Sequence, residues 1–237
     1  MEKPKNTGTT TSVVTQITVA VSSSETTTAL AYRAAKPAAD ATLVLAHGAG
    51  APQQSAFMVG FAGGLAERGI DVLTFNFLYT EHRRRIPDRT EKLEACYRAA
   101  VGTAREHFGR LAVFVGGKSM GGRIATYLAA ADDADALGIR GVVALGYPLH
   151  PPGKPQQLRT AHLSLIRVPM LIIQGQRDPF GTPGEFQPIL DGLEAPVRLH
   201  VVENGDHSLA PSRRTDAVAS TYVEIQDVIA KWIRERT

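Results

Sequence analysis

A chain of 237 residues with one cysteine and a formal net charge of +3 is long enough to bury a substantial core without covalent staples. The single cysteine excludes an intrachain disulfide, and so slight a charge argues against nucleic acid as a partner. No apolar run approaches the roughly 20 residues of a membrane span, so a soluble cytoplasmic protein with no membrane partner is expected.

Residues 1–12 are polar and threonine-rich, with no hydrophobic stretch. They read as a disordered start or a remnant of processing rather than a secretory signal, and a single folded domain is expected over residues 13–237. Val13 to Val21 and Thr28 to Arg33 are β-rich and flank Ser22-Ser23-Ser24, a pattern suited to an antiparallel hairpin at a sheet edge. From there the chain alternates. Short apolar runs fall at Ala41 to Ala46, Asp71 to Phe75, Leu111 to Val115, Gly141 to Leu145, Pro169 to Ile173 and Val197 to Val202. Between and after them lie helix-like segments: Gln54 to Arg68, Thr90 to Phe108, Gly122 to Ala131, Leu158 to Ile166, Gly184 to Leu193 and Ser212 to Arg236. Continuous apolar strands, each followed by a helix, imply an α/β fold with a mostly parallel sheet flanked by helices on both faces. The proline-rich piece Gly146 to Gln156 is too short to be a lid domain. Cys96 lies in a helix-like segment and reads as a small buried apolar residue.

Open α/β sheets gather their functional residues beyond the carboxyl ends of the strands. Gly117-Lys118-Ser119-Met120-Gly121 directly follows one apolar run and precedes a helix-like stretch. A G-x-S-x-G in that setting is a nucleophile elbow, with the serine held on a strained turn and its hydroxyl exposed. The same residues resemble the end of a phosphate-binding loop, G-x-x-x-x-G-K-[ST], but the leading glycine would have to stand where Ala112 lies inside the strand. That excludes the nucleotide reading and makes Lys118 a solvent-facing elbow residue.

A serine needs an imidazole to take its proton and a carboxylate to orient the imidazole, in the chain order Ser, Asp or Glu, His for this architecture. Asp178 is the carboxylate in the loop after the strand ending at Ile173, and His207 lies in the loop after the last strand. Asp206 and Glu203 are second choices for the acid. His82 and His150 can border a pocket without joining the relay, and no His, Cys or acidic cluster has metal-ligand spacing. No cofactor is implied. The oxyanion formed in acyl transfer requires N–H donors. Met120, just after the serine, supplies one, and the loop His47-Gly48-Ala49-Gly50-Ala51 the other, with Ala49 favoured and Gly50 the alternative.

The motifs Leu45-Ala46-His47-Gly48-Ala49-Gly50, Gly116-Gly117-Lys118-Ser119-Met120-Gly121-Gly122-Arg123, Gln174-Gly175 with Asp178-Pro179-Phe180-Gly181, and Gly205-Asp206-His207-Ser208 resemble the α/β-hydrolase superfamily, dienelactone-hydrolase-like. More narrowly, they resemble small predicted hydrolases related to testis-expressed protein 30. The resemblance implies an α/β-hydrolase fold with no lid domain and a Ser119, Asp178, His207 triad. Dienelactone hydrolases proper carry a cysteine nucleophile where this chain has Ser119.

An ester- or thioester-cleaving hydrolase acting on a small-molecule acyl substrate is therefore expected. The rival is a binding or scaffold protein that kept the fold and lost turnover. Gly48 and Gly50 let the backbone approach substrate, while Tyr147, Pro148 and Phe180 supply apolar walls. Arg84, within Arg83-Arg84-Arg85, is a candidate for holding a substrate anion, unless the run is a solvated one paired with Asp88 or Glu91. Arg123 reads as a brace for the helix start. Without a lid, a shallow and accessible site is expected.

Overall fold

The computed structural model describes residues 14–35, 37–109 and 112–237; the expectation for residues 1–12 lies outside them. Eight strands form one sheet in the order β1-β2-β4-β3-β5-β6-β7-β8. They are β1 (Val14–Ala20), β2 (Thr26–Tyr32), β3 (Ala41–Ala46), β4 (Asp71–Phe75), β5 (Ala112–Lys118), β6 (Ile139–Leu145), β7 (Met170–Gly175) and β8 (Val197–Val202). The expected hairpin is present: β1 pairs antiparallel with β2 and β2 antiparallel with β4, while the other neighbours are parallel.

The helices are α1 (Ala56–Glu67), α2 (Leu78–Glu81), α3 (Thr90–Phe108), α4 (Met120–Ala130), α5 (Pro183–Leu190) and α6 (Thr215–Arg234). Every residue of β3, β4 and β7 is buried, as strands covered on both faces must be. The period-2 alternation divides them between two cores. Leu43, Leu45 and Ile173 meet Phe61 of α1 and Trp232 of α6 on one face, whereas Val44, Ala46 and Val115 meet Tyr97 of α3 and Ile124 of α4 on the other.

Two segments depart from the sequence reading. Leu158 to Ile166 holds only one 3-10 turn, Leu163–Leu165. Here tertiary hydrogen bonds compete with the helix: Arg159 N–H donates to the Leu149 carbonyl (2.8 Å), and the Arg159 carbonyl accepts from the Tyr147 hydroxyl (2.7 Å). The short α2 was not anticipated; the Glu81 carboxylate at its end accepts from Asn76 Nδ2 (3.0 Å) and Thr28 Oγ1 (2.9 Å), tying it to β2.

The sheet places the site through close approach at its centre. β5 runs on through Gly116 and Gly117 to Lys118, and α4 begins two residues later. A Cβ on Gly117 would lie 2.5 Å from the Ala46 carbonyl oxygen and 2.6 Å from the Gly121 carbonyl carbon. Both obstacles are backbone, so no side-chain rotation relieves them. Gly117→Ala is expected to cost at least about 1–3 kcal/mol, seen as a lower urea midpoint. Gly102→Ala, inside α3 with open space around it, should instead raise stability by about 0.5–1 kcal/mol.

Candidate active site

Ser119 is the single residue between β5 and α4, at φ 51° and ψ −114°. That left-handed conformation costs a non-glycine residue on the order of 1–3 kcal/mol and persists only where its surroundings enforce it. Here its N–H donates to the Leu145 carbonyl of β6 (2.9 Å), and its carbonyl accepts from Arg123 N–H of α4 (3.1 Å).

Asp178 and His207 arrive from the loops after β7 and β8. Asp178 is 1% exposed. Its Oδ1 accepts from Phe180 N–H (2.8 Å), and its Oδ2 accepts from Gln174 Nε2 (2.8 Å) and pairs with His207 Nδ1 at 2.8 Å. A carboxylate so placed accepts the Nδ1 proton, which leaves His207 Nε2 as an acceptor, 2.9 Å from Ser119 Oγ. The three side chains thus form one continuous relay. Asp206, a second choice for the acid, instead accepts from Ser208 N–H (2.7 Å) and Ala210 N–H (3.1 Å), holding the histidine loop; Glu203 is exposed.

Gln174 was not singled out by itself in the sequence. It is fully buried at the end of β7 and links three groups: Nε2 donates to Asp178 Oδ2 and the Gly181 carbonyl (2.7 Å), and Oε1 accepts from Tyr147 N–H (2.9 Å). An apolar residue there would leave each of these without a partner.

Lys118 is not solvent-facing. Its side chain folds over Gly146, whose missing Cβ leaves the ammonium room, and Nζ donates to the His207 carbonyl. Burial pushes the amine down to about 8, opposed by the charges of Asp178 and Asp206. Lys118 therefore ties the nucleophile strand to the histidine loop.

The glycine loop after β3 is held by a second buried histidine. His47 Nε2 accepts from Phe77 N–H (3.1 Å), so Nδ1 carries the proton and donates to the Gly48 carbonyl (2.7 Å). In a trans peptide the N–H points opposite to the carbonyl, so this bond turns the Ala49 N–H away from His47. Tyr79 braces the loop further by donating to the Ala49 carbonyl (3.1 Å). Among the described residues, neither Ala49 N–H nor Met120 N–H has a protein acceptor. Met120 is the first residue of α4, where the helix leaves N–H groups free.

These elements line a cleft of about 700 Å³, within the ~300–1,000 Å³ of small-molecule sites. Gly48, Ala49, Gly50, Ser119, Met120 and Phe180 all line it. The Phe180 ring stacks on His207 with centroids 4.1 Å apart. Two expected binding residues do not line it. Arg84 pairs at 2.7 Å with Asp88, which is itself on the cleft wall, but does not line the cleft. Tyr147 is buried behind the wall, held by its bonds to Gln174 and Arg159. His150 is buried against Glu185 (3.3 Å), and neither it nor His82 reaches the cleft. Arg123 and Arg159, by contrast, lie on its wall.

Residues 39–234 match the model of a family described as an alpha/beta hydrolase domain. The chain belongs to the alpha/beta hydrolase family. Its fold is also that of a dienelactone hydrolase from Anabaena variabilis, with a TM-score of 0.73 at 19% identity over 95% of this chain and 99% of that one. A serine hydrolase without lid from Xanthomonas campestris superposes with a TM-score of 0.69 at 16% identity, over 94% of each chain. Est1E from Butyrivibrio proteoclasticus does so at 0.72 and 12% identity, over 93% of this chain and 98% of its own. These matches establish the superfamily and the fold, and not the narrower kinship with testis-expressed protein 30. As in the Xanthomonas protein, no lid domain stands over the site among the described residues of this alpha/beta hydrolase. None of its described helices is long and apolar enough to cross a membrane.

Burial lowers the His47 imidazole from its ordinary 6.5 to about 4. Between those values the unfolded chain binds a proton that the folded protein refuses, so stability rises with pH across the window. It is fully present above about 6.5 and lost as pH falls toward 4. The urea midpoint should be lower at pH 5 than at pH 7, and His47→Gln should shrink that difference. Part of it will remain, because burial lowers His162 to about 4 as well.

Proposed function

We propose that this alpha/beta hydrolase is a serine hydrolase that cleaves an ester or thioester of a small-molecule acyl substrate. The unbroken relay from Asp178 through His207 to Ser119, at 2.8 and 2.9 Å and opening on the cleft, is the observation that carries the reading. Ser119 Oγ attacks the substrate carbonyl carbon while its proton passes to His207 Nε2. Asp178, buried and held by Gln174 and Phe180 N–H, stabilises the imidazolium and keeps Nδ1 as the donor. The oxyanion takes hydrogen bonds from Met120 N–H and Ala49 N–H, the former at the positive end of α4. His207 returns the proton to the departing alcohol or thiol as the carbonyl carbon's bond to oxygen or sulfur breaks. Water, deprotonated by His207, then attacks the acyl-Ser119 ester; the acid leaves and Ser119 regains its proton.

Lys118 and Gln174 serve as positioning residues, the first on the histidine backbone and the second on the carboxylate. Phe180 covers one face of the imidazole and keeps it from bulk water.

The test is labelling by a fluorophosphonate probe together with turnover of p-nitrophenyl acetate and butyrate. Wild type should label and turn over, and Ser119→Ala should abolish labelling. Asp178→Asn should reduce kcat by about 10⁴-fold, because the wrong tautomer is then held against the serine. A wild-type protein that neither labels nor hydrolyses either ester sinks the proposal.

A further inference from the structure

The wall of the cleft carries a charge that the hydrolytic relay does not use. Arg89, Arg123 and Arg159 line it beside Lys118, which is engaged with the His207 carbonyl. Among its described lining residues the one carboxylate is Asp88, whose Oδ1 pairs with Arg84 and whose Oδ2 is buried without a partner. Among the described residues, neither Arg123 nor Arg159 makes an ion pair with any carboxylate. Arg123 Nε is buried without any hydrogen-bond partner, although guanidinium N–H groups are rarely left so. For Arg159 the side-chain contact is a long one, 3.4 Å to the Pro148 carbonyl. The two guanidinium groups also feel each other: burial first, and then the charge of Arg123, lowers Arg159. Unneutralised cations in a partly apolar cleft raise each other's energy, and an anion bound between them removes that cost.

The spacing to the nucleophile is short. Arg123 lies one helical turn beyond Ser119, a rise of about 5–6 Å along α4. Pro148 and Phe180 add apolar surface to the same cleft.

We propose that Arg123 and Arg159 form an oxyanion-binding subsite, so that the preferred substrate is an ester carrying a carboxylate or similar compact anion a few bonds from its scissile carbonyl. This rests on the serine-hydrolase reading of the same cleft. The planar, multi-donor guanidinium suits a carboxylate better than an ammonium does. Arg83, Arg84 and Arg85, the run that drew attention in the sequence, lie outside the cleft and take no part.

Two ester pairs test the subsite and locate the anion. Monomethyl glutarate against dimethyl glutarate places the charge on the acyl side; acetoxyacetate against acetoxyacetamide places it on the alcohol side. In at least one pair, wild-type kcat/KM should favour the anion by 10-fold or more. Arg123→Gln and Arg159→Gln should each lower that anion-to-neutral ratio on the order of 10- to 100-fold. Arg123→Lys should recover part of it, and Arg85→Gln should leave the ratio at the wild-type value. Equal use of anionic and neutral esters, with fluorophosphonate labelling intact, overturns the subsite and leaves the hydrolase reading standing; so does a preference that survives both arginine substitutions. Calorimetry of the two anions with Ser119→Ala protein separates the remaining case. Arg123-dependent binding without turnover in wild type keeps the subsite and removes the hydrolase, whereas absence of both removes both.

Discussion

The site depends on a turn made in one residue. β5 ends at Lys118 and α4 begins at Met120, so Ser119 alone reverses the backbone, and it does so in a conformation that side chains resist. What holds it there is the neighbouring backbone. β6 accepts its N–H, α4 donates to its carbonyl, and glycine at 117 lets the first turn of α4 sit against β3 and β5 at a distance no Cβ permits. Strain at the serine is thus balanced by packing within the sheet's centre. The same close approach brings the free N–H of Met120 and the β3 loop to the serine's side.

Around this turn, polar groups are buried in linked sets rather than singly. His47 is neutral because it is buried, and its fixed tautomer orients the Gly48–Ala49 peptide. Gln174 satisfies a carboxylate, a carbonyl and an N–H at once. Tyr97 performs the equivalent task beneath the elbow, where its hydroxyl accepts from Gly116 N–H (2.8 Å) and lies 2.7 Å from the Val44 carbonyl. A low local dielectric makes such networks costly when incomplete and rigid when complete. Rigidity of this kind lets Ser119, His207 and Asp178, drawn from three different loops, stand within hydrogen-bonding distance without a ligand. Arg123 and Arg159 are the contrast: two cations at the cleft wall without an ion-pair partner among the described residues.

Most of the fold was legible because its strands are nearly continuous apolar runs. Ala41 to Ala46, Asp71 to Phe75 and Val197 to Val202 begin and end as read. The first two are buried on both faces, which favours an apolar run, whereas the last is the partly exposed edge strand and carries Arg198 and His200. Thr90 to Phe108 likewise begins and ends as read. Leu158 to Ile166 misled for the opposite reason. Its helical spacing is real, but Tyr147 and Leu149, more than eight residues upstream, take the backbone groups of Arg159 that a helix would use. The resemblance to alpha/beta hydrolases rested on loops at strand ends, all of which fall within residues 39–234 that the family model spans.

By itself the sequence determined the alternation of strand and helix, the order of Ser119, Asp178 and His207, and the strand ends at which they stand. These follow from local chemistry: apolar periodicity sets the elements, and glycines mark where backbone must come close. The tertiary structure alone decided which charged side chains face the cleft. Lys118 turned inward over Gly146, Arg84 paired with Asp88 without lining the cleft, and Arg123 and Arg159 came to the wall with no carboxylate partner among the described residues. A long side chain's direction depends on partners distant in sequence and on the space they leave, and neither is written in the residues beside it.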